Sequence, residues 1–200
     1  NAPPTLNLTL APHQSGGAVD KVAVTLKLQA PDAKPGEPFL RLPMVFASVK
    51  TQQYEAAQIE VVDAKGPVPL VQKDDPVDPS NFMYSRRWQV ARATEGDVSV
   101  RYEAAAEAFR PKLGSGPPFD LRPEAGGLNG AGVTFLALPD TGKPYSLSLD
   151  WDLAAMPAGE WGEQLAADAG EGLTLALADD EAFNFYYPDN LALLARCGVK

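Results

Sequence analysis

The 200-residue chain carries 17 Lys+Arg against 26 Asp+Glu, a net charge of −9 that argues against a basic nucleic-acid footprint or a polybasic membrane patch. Hydrophobic residues make up 45% of it, enough for a core, while 17 Gly and 19 Pro stay below the level of low-complexity disorder and promise many turns. One histidine, His13, and one cysteine, Cys197, exclude both an internal disulfide and a zinc site built from the usual His/Cys-rich ligands.

Along the chain the dominant pattern is period two, which marks strands with one buried face. Leu6, Leu8 and Leu10 alternate with Thr5, Asn7 and Thr9; beyond the turn Gln14-Ser15-Gly16-Gly17, Val22, Val24, Leu26 and Leu28 define a long second strand antiparallel to the first. Pro31 to Pro38 breaks the chain. Leu40, Leu42, Met44 and Phe46 form a third set, in which Pro43 predicts an edge or a bulge. Residues 58–72 read as a hairpin turning at Asp63-Ala64-Lys65-Gly66, and Lys73 to Asn81 as a surface loop.

Trp88 to Ala91 and Val98, Val100, Tyr102 and Ala104 are expected to pair as two central strands around Glu95-Gly96-Asp97. The Pro- and Gly-rich stretch 109–132 is a long connection, of a length that is functional, mobile or an inter-sheet crossing. Val133, Phe135 and Ala137 then alternate, as do Tyr145, Leu147, Leu149 and Trp151, and Leu173 to Leu177 is a last strand. Asp189 is placed to cap a short helix over Asn190 to Cys197, stopped by Gly198. Many short strands without βαβ alternation predict an all-β, antiparallel β-sandwich with a short C-terminal helix: a sandwich domain over 1–178 and a tail or linker over 179–200 leading towards a following domain. Leu6, Leu8, Leu10, Val22, Val24, Leu26, Leu28, Val98, Val100, Tyr102, Leu147 and Leu149 should form one buried face.

Taken in order, several short pieces carry a resemblance: the Leu-x-Leu strand, Leu42-Pro43, Asp63-Ala64-Lys65-Gly66, Trp88, Val98-x-Val100-x-Tyr102-Glu103, Phe119-Asp120-Leu121-Arg122, Leu128-Asn129-Gly130, Trp151 and Trp161. Together they resemble the N-terminal β domain of the glycyl aminopeptidase family, gluzincin zinc metallopeptidases, over roughly residues 5–175. The resemblance implies a polypeptide with a thermolysin-like catalytic domain carrying His-Glu-x-x-His and a PDZ domain, with zinc in that catalytic domain and no cofactor here. The 200 residues contain no His-Glu-x-x-His, so no catalytic or metal residue carries over. Relatives have Trp, Pro-Gly and Tyr after the Leu-Pro pair, where this chain has Met44-Val45-Phe46-Ala47-Ser48-Val49. In the family the segment of Arg122 and Asn129 lies towards the catalytic domain, so the resemblance implies that these two shape the substrate cleft or the domain interface. As a surface residue, Arg122 is expected to be dispensable for folding.

Other candidates have plainer readings beside them. Asp74, Asp75, Asp78 and Asn81 bring oxygen ligands close in sequence but lack calcium-loop spacing, which suits a solvated acidic turn. Gly126 to Gly132 precedes a strand and lacks the Lys-Ser/Thr of a phosphate loop. His13 with Ser15 lacks an orienting acid, Cys197 suits a buried thiol, and Asp179-Asp180-Glu181 suits a helix cap. Trp88, Trp151, Trp161, Tyr54 and Phe119 are either core or a surface that stacks on sugars or grips peptide side chains.

The function expected is therefore a non-catalytic β domain that packs against a zinc aminopeptidase domain and walls its cleft, meeting peptide substrate only indirectly. A stand-alone extracytoplasmic binding module for glycan or peptide is the alternative. Neither nucleic acid nor a membrane span is expected; the start Asn1-Ala2-Pro3-Pro4, without an initiator Met, fits a processed or a truncated chain, and a periplasmic or secreted location is expected.

Overall fold

The computed structural model describes residues 2–47, 49–77, 84–107, 119–124 and 127–156, together with Ala195. By its contacts the chain divides into two units, Asn1–Met156 and Pro157–Lys200, and every described strand belongs to the first. In chain order these strands are β1 (Thr5–Ser15), β2 (Ala18–Leu28), β3 (Pro38–Pro43), β4 (Val45–Phe46), β5 (Val49–Lys50), β6 (Glu60–Asp63) and β7 (Gly66–Pro67). They continue with β8 (Leu70–Asp74), β9 (Ser85–Val90), β10 (Val98–Ala105), β11 (Arg122–Glu124), β12 (Gly127–Asn129), β13 (Leu138–Pro139) and β14 (Ser146–Trp151).

Two main sheets face each other. The larger has the order β14-β1-β2-β10-β6-β7 and the smaller β13-β3-β9-β8, with β4-β5 and β11-β12 as two-stranded ribbons. Pairing is antiparallel throughout the described strands except between β1 and β14, which run parallel. One core cluster joins the inner faces, with Leu8, Val24, Leu26, Val100 and Tyr102 from the larger sheet and Phe39, Leu40, Leu42, Trp88 and Val90 from the smaller. This is the all-β sandwich that the alternation predicts. Among the described residues no helix is long and apolar enough to cross a membrane.

The β1–β2 hairpin forms because Gly16 and Gly17 both take positive φ, 59° and 82°, the combination that lets a two-residue turn follow the strands' own twist. Leu8↔Leu26 and Leu10↔Val24 then face each other on the core side, and Val100 and Tyr102 continue the rows on β10. Thr25 and Lys27 point to the other face, as expected.

Several expectations are corrected. β9 and β10 do not pair: β9 lies between β3 and β8 and β10 between β2 and β6, so residues 91–97 cross from one sheet to the other. Both are nonetheless central. The 58–72 hairpin is real only from β6 to β7, because β8 leaves to pair with β9. Lys73 and Asp74 belong to that strand, not to a loop. Val133, Phe135 and Ala137 are not a strand; Gly132–Thr134 is a 3-10 turn that drops Phe135 and Ala137 into the core. Pro43 ends β3, and the bulge falls at the other end, between Pro38 and Leu40. Leu147 and Leu149 are not buried: they are 61% and 51% exposed. Their side is right, since they pair with Leu6 and Leu8, but β14 is an edge strand that the smaller sheet leaves uncovered. The expected strand Leu173–Leu177, the 178/179 boundary and the Asn190–Cys197 helix lie outside the described residues, apart from Ala195.

Candidate functional site

Arg122 and Asn129 come together. The connection expected over 109–132 contains a short hairpin, β11 to β12, in which Arg122 stands directly opposite Asn129 and Glu124 opposite Gly127. Arg122 Nη2 donates to Glu124 Oε2 at 3.0 Å, and Asn129 Nδ2 donates to the same oxygen at 2.5 Å. Contrary to expectation, Arg122 is not a surface residue: its side chain is only 9% exposed, whereas that of Glu124 is 52% exposed. The guanidinium therefore lies beneath the cluster and fixes a carboxylate and an amide that face solvent.

Backbone packing seats this hairpin. Leu121 is buried and Leu128 packs on the core, while Glu107 N donates to Leu121 O at 3.1 Å and Ala131 N to Phe119 O at 2.8 Å. Gly130 lets two chain segments touch, because a Cβ there would stand 2.8 Å from Leu121 Cα and 3.1 Å from Asp120 O. Below it, the Phe119 ring meets Phe46 at 5.4 Å, and Thr134 Oγ1 donates to Ala131 O at 2.8 Å. Phe46 thus occupies, within the divergent stretch after Leu42-Pro43, a place against the candidate segment.

The remaining candidates resolve differently. Asp74 and Asp75 bind arginines of β9. Arg86 Nε and Nη2 bind Asp74 at 2.8 and 2.9 Å, and Arg86 Nη1 donates to Glu55 and to the Tyr54 carbonyl. Arg87 binds Asp75, lowering its pKa, and also pairs with Asp140. Asp78 and Asn81 lie outside the described residues. Contrary to the expectation that His13 lacks an acid, its Nδ1 lies 2.7 Å from Asp20 Oδ1 across the first hairpin, and this bond draws the Asp20 pKa down. Among the described residues no group of three His, Cys, Asp or Glu comes together to hold a metal. Cys197, Trp161 and Asp179-Asp180-Glu181 lie outside the described residues.

The aromatics divide. Trp88 and Tyr54 are buried, Phe119 is half-buried, and Trp151 is 54% exposed on β14. Burial pushes the Tyr54 and Tyr102 phenols well above the ordinary tyrosine range. Tyr54 Oη donates to Phe135 O and Tyr102 Oη accepts from Ala137 N, so these rings clamp the turn above the hairpin segment.

Sequence reasoning missed the buried arginines. Arg86 sits on the core side of β9, in line with Trp88, and its partner Asp74 is the residue opposite it on β8. The doublets Asp74-Asp75 and Arg86-Arg87 were the available signal: Asp74 stands opposite Arg86, while Arg87, whose facing residue is Lys73, reaches diagonally to Asp75. A third pair closes the opposite end: Asp63, its side chain fully enclosed, receives Arg92 Nη1 and Nη2 at 2.7 and 2.8 Å and the backbone N–H groups of Lys65 and Glu95.

No protein-family model matches the chain. Forty-seven residues, 24% of the chain, are 70% identical to cobyrinate a,c-diamide synthase of Salmonella typhimurium and make up 10% of that protein. Among solved structures, 51% of the chain superposes on an aminopeptidase N family protein from Idiomarina loihiensis, with a TM-score of 0.33 and 19% identity, over 15% of that chain. The chain thus spans a small part of the length of either protein.

Proposed function

We propose that this chain is a non-catalytic β domain that packs against a zinc aminopeptidase catalytic domain and forms one wall of its substrate cleft, outside the cytoplasm. One observation carries the reading: Arg122 and Asn129, which the glycyl aminopeptidase resemblance directs towards the catalytic domain, converge on Glu124 in one anchored cluster. A buried guanidinium beneath an exposed carboxylate and amide presents fixed polar groups to a facing surface, and fixed groups lose little freedom on contact. Zinc would be held by the catalytic domain, because this chain has one His and one Cys to offer.

The first test is to read the coding sequence past Lys200 for His-Glu-x-x-His with a distal Glu. Where it is present, the double variant Glu124→Gln, Asn129→Ala should lower kcat/KM of the whole enzyme several-fold on aminoacyl substrates at a temperature where the variant is fully folded, with zinc content unchanged. Unaltered kinetics would remove the cleft-wall role. The stand-alone glycan or peptide module is favoured by one feature, the exposed ring of Trp151. Glycan or peptide binding abolished by Trp151→Ala, with no catalytic domain encoded downstream, would decide for it.

A further inference from the structure

We infer that β14 is a dimerisation edge at which two copies of this chain join their larger sheets through antiparallel β14–β14 pairing. Among the described residues its outer side is open. Ser146 N donates to Pro4 O and Asp152 N to Leu10 O, so the even-numbered residues of this parallel pair aim their main-chain groups at β1. The N–H and C=O groups of Leu147, Leu149 and Trp151 therefore point to the outer edge, where no described strand lies. Their side chains stand on the core-facing side, in register with Leu6, Leu8 and Leu10, at 61%, 51% and 54% exposure.

A second copy fits this edge better than an arbitrary strand because the sequence is self-complementary. With a two-fold axis at Leu149, Leu149 faces Leu149, Leu147 faces Trp151, and Ser148 faces Asp150 of the second copy. Every apolar side chain then meets an apolar one, and no Asp meets an Asp, although each chain carries a net charge of −9. About six main-chain hydrogen bonds form in that register, since each facing odd-numbered pair exchanges two.

Other edges of the same molecule are blunted, as edges usually are. β7 is the dipeptide Gly66–Pro67, β13 is the dipeptide Leu138–Pro139, and β8 carries Lys73 and runs into Pro76. β14 has neither proline nor lysine nor bulge.

The test is sedimentation of the 200-residue chain over a concentration series. A reversible monomer–dimer equilibrium is expected, tightening as salt screens the repulsion between two acidic chains. Leu149→Lys, which sets like charges opposite each other, should weaken the dimer at least about tenfold. Leu149→Pro should do the same while leaving the β1 pairing intact, because it removes only an outward N–H. Register is read by mild oxidation in a Cys197→Ser background: Leu149→Cys should crosslink, its facing Cα atoms being about 5.5 Å apart, and Ser148→Cys should not. A chain that stays monomeric at all concentrations overturns the inference, as does a dimer that is indifferent to the Lys and Pro variants and that the Leu149→Cys substitution fails to crosslink. So does a monomer whose β14 takes up only foreign extended peptides.

Discussion

Arg122 lies directly across the β11–β12 hairpin from Asn129, and both donate to the same oxygen of Glu124. The two donors contribute unequally, because the arginine is enclosed and Asn129 is exposed. Arg122→Ala removes a buried aliphatic stem together with a charge-assisted hydrogen bond and should destabilise the chain by roughly 1–3 kcal/mol. Asn129→Ala should stay within about 0.5 kcal/mol, as exposed substitutions do. Chemical denaturation of the two variants checks the difference; equal midpoints would mean that the guanidinium does not anchor the hairpin.

Gly130 gives a sharper test of the same segment. A Cβ at this position meets the backbone of Asp120 and Leu121, which cannot swing aside as a side-chain tip would. Gly130→Ala should therefore cost about 1–3 kcal/mol through forced backbone shifts. Gly142→Ala, at φ 69° with nothing within 4 Å of the added carbon, should cost only the left-handed penalty of about 1 kcal/mol. A denaturation midpoint for Gly130→Ala equal to that of the parent chain would contradict the close approach.

Acidification should weaken the Asp63 end. Hydrogen bonds from Arg92, with further ones from the Glu95 and Lys65 amides, hold the Asp63 carboxyl well below the usual range. A depressed folded-state pKa contributes stability above the unfolded value, near about 4, and that contribution is lost as pH falls through the folded one. Asp63→Asn should lower the melting temperature at neutral pH and flatten its decline below about pH 4. Parallel melting curves for the two proteins down to about pH 2 would count against the pairing.

What the sequence made legible was the period of each strand and, through it, the side of the sheet each residue occupies. Leu6 to Leu10, Val22 to Leu28 and Val98 to Ala104 are placed by alternation alone. Alternation says nothing about which strand lies alongside or whether a second layer covers it. Leu147 and Leu149 show this, since they share a side with Leu6 and Leu8 yet face solvent at the sheet's edge. The crossing between β9 and β10 was hidden for the same reason: Glu95-Gly96-Asp97 is as good a turn between sheets as within one. Val133, Phe135 and Ala137 alternate by coincidence with a 3-10 turn. The site was half visible: the resemblance directed attention to Arg122 and Asn129, but Glu124 joins them only once the hairpin register is known.

The core itself offers the last prediction. Leu26 and Val100 have no exposed surface and face each other across β2 and β10, whereas Thr25, one residue along, faces the opposite side of the same sheet. Leu26→Ala should cost on the order of 2–4 kcal/mol, through lost burial plus the cavity left in the core, and Thr25→Ala less than about 0.5 kcal/mol. Because Leu26 and Val100 border the same space, the double variant Leu26→Ala, Val100→Ala should fall short of the sum of the single losses, one cavity being shared. Urea denaturation of the single and double variants, with unchanged dependence on denaturant concentration as the control for two-state behaviour, measures both the losses and their coupling. Strict additivity would mean that the two truncations relax independently and do not merge into one cavity.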